Sequence, residues 1–156
     1  MQGGTEPDRW SDSQDVLAVV NEYFRSLDDR EFDTEHLRRL FGDDGRIIRP
    51  DDTTTVGPEA IGRTHAHNFS RFEATQHLVT GHTVTIADDR ARFRANLVAI
   101  HIWKDRPTGN LDDRAFTAGG VVSATLERTV DGWRISMLQL EVVWRTGHFG
   151  DMKPSN

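Results

Sequence analysis

The sequence predicts an α+β fold: a cone-shaped, curved antiparallel sheet wrapped around by three N-terminal helices, with an internal pocket between the layers. Three observations lead there. Apolar residues recur at three- and four-residue steps only in the first half of the chain. The second half alternates at period two in long runs joined by short turns, the pattern of hairpin strands. Glycines at 81, 119 and 120 fall inside those runs, where a bend or bulge lets a sheet curl.

Residues 1–13 are polar and aperiodic and read as a flexible arm; the domain spans 14–147, and 148–156 read as a flexible tail. From Asp15 a helix begins, with Asp12 or Ser13 as N-cap and Val16, Val20, Phe24 and Leu27 as its buried stripe. Asp28 closes that stripe. A carboxylate at a helix C-terminus opposes the helix dipole, so an inward Asp28 needs a stabilising partner; a solvated Asp28 is the plainer alternative. Asp33 and Thr34 cap a short second helix that buries Leu37, Leu40 and Phe41 and ends at Gly42. A turn and short strand fill 43–50, and 51–56 read as a polar loop. Pro58 opens a third helix whose stripe is Ile61, His65, Phe69 and Phe72.

A hairpin over 75–103 follows, turning at Asp88-Asp89. On its second strand Phe93, Ala95, Leu97, Ala99, His101 and Trp103 share one face, so His101 is a buried or cleft-lining imidazole. His77 on the first strand is ambiguous: Thr75, Val79 and Thr83 share its face, while Leu78, Val84 and Ile86 share the other. Taken alone, both histidines read as satisfied core residues sooner than as catalytic ones. A loop over 104–114 leads to strands 115–129 and 133–144, joined at Val130-Asp131-Gly132. On the last strand Trp133, Ile135, Met137, Glu141 and Val143 share a face, and Glu141 reads either as a pocket residue or as solvated.

Composition narrows the function classes. At 156 residues the chain supports one core. It has no cysteine, which excludes disulfides, thiolate metal ligands and thiol nucleophiles. Its net charge of −6 and lack of a basic stripe weigh against nucleic-acid partners. No apolar run reaches the ~18 residues that would cross a membrane. The first residues also lack a secretory pattern, so the cytoplasm is the expected compartment.

The order of these elements, with T-Q-H-L-V opening one strand, His101 near the end of the next and D-G-W-R-I opening the last, resembles the SnoaL-like proteins of the nuclear transport factor 2 superfamily over about residues 14–147. Within that group the pattern is similar to the scytalone dehydratases, through S-L-D-D-R-E-F-D around Asp28, T-Q-H at His77, and His101. The resemblance implies an acid/base enzyme with neither metal nor organic cofactor, of dehydratase, cyclase or isomerase type, acting on an apolar polyketide-like or aromatic small molecule in secondary metabolism. It implies His77 as the proton-transfer residue and His101 as the partner oriented by Asp28. The chain departs from the family where the carbonyl-polarising tyrosines fall on Leu27 and Arg49, and the pocket asparagine on Ser123.

Further substrate-contacting residues expected on this reading are Arg49, His65, Phe69, Phe93, Trp103, Ser123, Met137 and Glu141. Two other functions fit the same sequence: epoxide opening by Asp28, Glu141 and histidine, and a non-catalytic ligand-binding or scaffold role. A homodimer or other homo-oligomer is expected from the apolar outer row Val98, Ile100 and Ile102.

Overall fold

The computed structural model of the protein describes residues 9–150. In chain order the elements are α1 (Arg9–Asp29), α2 (Thr34–Arg38), β1 (Phe41–Ile48), β2 (Thr54–Val56), α3 (Pro58–Phe69), β3 (Phe72–Ala87), β4 (Arg90–Trp103), α4 (Leu111–Arg114), β5 (Ala115–Thr129) and β6 (Gly132–Gly147). The strands form one curved sheet in the order β2-β1-β6-β5-β4-β3. All its pairs are antiparallel except β1 with β6, which the expected all-antiparallel sheet did not include. The segment 51–56, expected as loop, contributes β2, and the loop 104–114 holds the single turn α4. Among the described residues no helix is long and apolar enough to cross a membrane.

Helix α1 is already formed at Arg9, three residues before the earlier of the two expected caps, so 9–13 are helix rather than arm, and Trp10 lies on it. The reason is Asp12, which is not a cap but a buried side chain. It accepts from Arg128 Nη1 and Nη2 at 2.8 and 2.6 Å and from Trp133 Nε1 at 3.2 Å. This fork fastens the first turn of α1 to the β5–β6 hairpin. Removing the carboxylate leaves the indole N–H without its acceptor and the guanidinium with only the exposed Asp89 as counter-charge. Asp12→Ala is therefore expected to lower unfolding stability by about 2 kcal/mol, read as a fall in the urea midpoint at unchanged m; an unchanged midpoint would show the fork to be inert. Of the expected flexible termini, residues 1–8 and 151–156 lie outside the described residues. His148 is docked rather than flexible: its N–H donates to Ala115 O at 2.8 Å, and its carbonyl accepts from Trp103 Nε1 at 2.7 Å.

The main core lies between α1 and the concave sheet face, where Val16, Val20, Tyr23 and Phe24 meet Phe93, Ala95, Val122, Ile135 and Leu138. Three irregularities in the sheet decide which side chains reach this face. One extra residue near Gly81 shifts the β3–β4 register between Thr80 and Thr83. It moves Val84 and Ile86 to the His77 side and so resolves the ambiguity of β3. A second shift sets Thr125 opposite Met137 but Leu126 opposite Ile135, with Ser136 Oγ donating to Thr125 O at 2.9 Å. Beyond it the faces of β6 exchange, so that Leu138 and Leu140 point inward while Met137 and Glu141 do not. The third falls between Gly119 and Gly120, where a Cβ on Gly120 would meet Glu141 O at 2.0 Å. Only glycine fits there. The row Val98, Ile100 and Ile102 lies on the outer face, half-buried, as alternation expected.

Candidate active site

A cavity of about 660 Å³ opens between α1, α3, the β1–β2 connection and the concave face of β3 to β6. Its wall is mostly apolar, with Phe24, Leu27, Phe69, Leu97, Phe116 and Leu140. The polar residues on it include His77, His101, His65, Tyr23, Asn68, Asp51, and the guanidinium side chains of Arg49, Arg71 and Arg145.

His77 is positioned by the end of α1. Strand β3 is the edge of the sheet, so alternate backbone N–H groups have no neighbouring strand. Asp28 uses one of these. Its Oδ2 accepts from the His77 backbone N–H at 2.9 Å, and its Oδ1 contacts His77 Nδ1 at 2.6 Å and accepts from Thr75 Oγ1 at 3.1 Å. Arg30, which ends α1 at φ 60°, donates to Thr75 Oγ1 at 2.8 Å and to Leu27 O at 2.5 Å, completing the support. These are the partners that a carboxylate at a helix C-terminus requires. Burial alone would raise the Asp28 carboxyl, but the hydrogen bonds and charge of His77, aided by Thr75, outweigh it and hold the group below its usual range. An ionised carboxylate only accepts, so His77 Nδ1 is the donor in this contact and Nε2 is the ring nitrogen that Asp28 does not hold.

Asp28 thus orients His77, and the expected pairing of Asp28 with His101 is wrong. The physical reason is reach: Asp28 meets the edge of β3, whereas His101 lies one strand further in, on β4. His101 stacks on Phe116 with centroids 4.0 Å apart and planes at 9°, and its Nδ1 is buried without a hydrogen bond. Its ring stands 5.9 Å from that of His77, nearly perpendicular. Burial first, then the charge of His77, pushes its pKa down to about 3, while the nearby Phe116 backbone, outside hydrogen-bond geometry, pulls weakly the other way.

The remaining expected residues divide. Arg49, His65 and Phe69 line the cavity. Glu141 borders it, but its register opposite Val121 places its exposed side chain on the outer face, beyond the Ser136 irregularity. Met137 and Ser123 also face outward, in a shallow depression with Arg92 and Arg94. Phe93 is inward but deeper, sealed in the main core. Trp103 is locked with Phe72 and Phe116 in a second cluster and bonded to His148 O, so it does not reach the cavity. Phe72 begins β3 rather than continuing α3.

Sequence reading missed Tyr23. Its hydroxyl meets His65 Nε2 at 3.0 Å on the cavity wall, and burial raises its pKa well above the usual phenol value. Burial first, then Arg49 and His77, pushes His65 down to about 3, so the pair is neutral at pH 7. A signal was present, because Tyr23 is the chain's only tyrosine and lies four residues before Leu27 on the buried side of α1.

Fold and site together define a small α+β cone protein with an aspartate-oriented imidazole facing an apolar cavity. The sequence profile of the SnoaL-like domain matches residues 8–139, and the chain belongs to that family. No curated protein matches the sequence. Among solved structures, the chain is similar to the Kfla4162 protein from Kribbella flavida at 28% identity, covering 88% of this chain and 95% of that one with a TM-score of 0.80. It shares its fold with a scytalone dehydratase candidate from Novosphingobium aromaticivorans, at 16% identity, 93% and 97% coverage and a TM-score of 0.75. It likewise shares its fold with a hexachlorocyclohexane dehydrochlorinase from Novosphingobium barchaimii, at 16% identity, 96% and 98% coverage and a TM-score of 0.75.

Proposed function

We propose that the protein is an acid/base enzyme of lyase or isomerase type that removes a proton from carbon in an apolar, ring-containing small molecule. The observation that carries this reading is the 2.6 Å contact between Asp28 Oδ1 and His77 Nδ1 at the cavity wall. His77 Nε2 takes the proton, and Asp28 stabilises the imidazolium that forms. The electrons left on carbon either expel a leaving group, as in loss of water or halide, or delocalise into a neighbouring carbonyl as an enolate. His101, neutral at pH 7, serves as a hydrogen-bonding group toward the substrate. Two structural neighbours carry the names of a scytalone dehydratase candidate and a hexachlorocyclohexane dehydrochlorinase, both names of eliminations, and the apolar wall here suits the same class.

The epoxide-opening alternative needs two carboxylates in the cavity. It is weakened because Asp28 is engaged by His77 and Glu141 faces outward. Turnover of a panel of cyclic elimination and enolisation substrates, compared among wild type, His77→Asn, His101→Asn and Glu141→Gln, tests the reading. Loss with His77→Asn and retention with Glu141→Gln is the expected ranking; the reverse would favour epoxide opening, and binding without turnover in every case would favour the ligand-binding role.

A further inference from the structure

The cavity wall carries positive charge that the fold does not neutralise. Arg25, Arg63, Arg90, Arg114 and Arg128 all meet carboxylates. Arg49 and Arg71 meet none within ion-pair distance, as is also true of Arg30, Arg46, Arg92 and Arg94 among the described residues. Both Arg49 and Arg71 are on the cavity wall.

Arg49 is the better placed of the two. It is half-buried just after β1, in a turn fixed by Arg49 N to Thr53 O and Asp52 N to Arg49 O, each at 2.9 Å. Its side chain is aimed by one bond, Nη2 to Thr55 Oγ1 at 2.8 Å, which leaves most of its five donors unused. Asp51 lies close enough for its charge to be felt but forms no ion pair with it: Asp51 Oδ1 accepts from the Thr53 hydroxyl and amide at 2.6 and 3.0 Å. These Thr53 bonds lower the Asp51 carboxyl first, and the charge of Arg49 only after them. The same charge reaches Tyr23 and His65, so Arg49 stands on their side of the cavity. Arg71 adds a second positive charge, its guanidinium 5.3 Å from the Phe72 ring centre and its Nε donating to Asn68 O at 3.1 Å.

A planar fork held in place at an apolar wall, half removed from water and without an ion-pair partner, suits a planar anion. We propose that the cavity selects a cyclic carboxylate, its carboxylate held by Arg49 and its ring against the apolar wall that leads to His77. The assignment rests on the acid/base reading for what happens at His77, but not for how the ligand binds.

The test is calorimetric titration at pH 7 with 2-naphthoate and its neutral isostere 2-naphthamide. Wild type is expected to bind the carboxylate about tenfold or more tightly than the amide, the range of one charge-assisted hydrogen-bonded pair. Arg49→Met is expected to erase that ratio without weakening the amide, and Arg49→Lys to keep part of it. Equal affinities in wild type, no naphthoate binding up to millimolar concentration, or a ratio that survives Arg49→Met would each overturn the proposal. Because binding is read without turnover, the two claims fail separately. Carboxylate preference with turnover indifferent to His77→Asn defeats the acid/base reading alone, whereas His77-dependent turnover of neutral substrates with no carboxylate preference defeats the anion subsite alone.

Discussion

Asp28→Asn is expected to lower kcat by about a thousandfold or more while leaving the fold intact, the scale seen when an orienting carboxylate is made neutral. The two oxygens of Asp28 accept from different donors, Oδ2 from the His77 backbone N–H and Oδ1 from Thr75 and the imidazole. An asparagine can reproduce only one half of this. With its NH2 at the Oδ2 position, two donors face each other at the strand edge. Flipped, the NH2 faces Nδ1, drives the proton to Nε2, and blocks the lone pair that takes the substrate proton. In either arrangement the imidazolium loses its counter-charge. Measured kcat and KM should separate, with the loss in kcat, and far-UV circular dichroism should be unchanged. Activity within about tenfold of wild type would remove Asp28 from the mechanism.

Acid unfolding beginning near pH 6.5, well above the carboxylate range, is the second expected result. His65 and His101 have an ordinary value of 6.5 and a folded value of about 3. Folded pKa values below the unfolded ones mean that the unfolded chain binds more protons in this window. Stability is thus fully present above pH 6.5 and is lost as pH falls toward 3. Two protons give a limiting slope of about 2.8 kcal/mol per pH unit, and the whole loss is comparable with the ~5–15 kcal/mol that holds a domain folded. Asp12 and Asp28, also lowered from an ordinary 3.8, act in the same direction but only at lower pH. Urea midpoints between pH 7 and 5 therefore isolate the histidines. His101→Phe should halve the slope. A flat profile over that interval would mean that the two rings are hydrated in the folded protein.

Much of the site was legible in the sequence because it lies where local periodicity holds. The stripe Val16, Val20, Phe24, Leu27 put Asp28 at the inward end of α1, and unbroken alternation from Phe93 to Trp103 put His101 on the concave face. The T-Q-H segment, placed by resemblance, put His77 in the cavity wall. Misreadings cluster where one residue of chain was inserted. Met137 and Glu141 were given the face they would have had without the Ser136 irregularity, and β3 was ambiguous until the extra residue near Gly81 was in place. A period-two pattern records parity, and a bulge reverses parity without altering the residues on either side.

Composition and pattern by themselves determined the α+β class, the helices ahead of the strands, the inward face of β4, and the small set of ionisable residues from which a site could be built. They did so because burial of apolar faces at periods of 3.6 and 2 is a local property. Tertiary structure alone decided which histidine Asp28 holds, that Tyr23 pairs with His65 across 42 residues, and that Arg49 lines the cavity bonded to Thr55 rather than ion-paired. Those are distances between segments remote in sequence. They are set by how far an edge strand reaches toward a helix end, a quantity no local period contains.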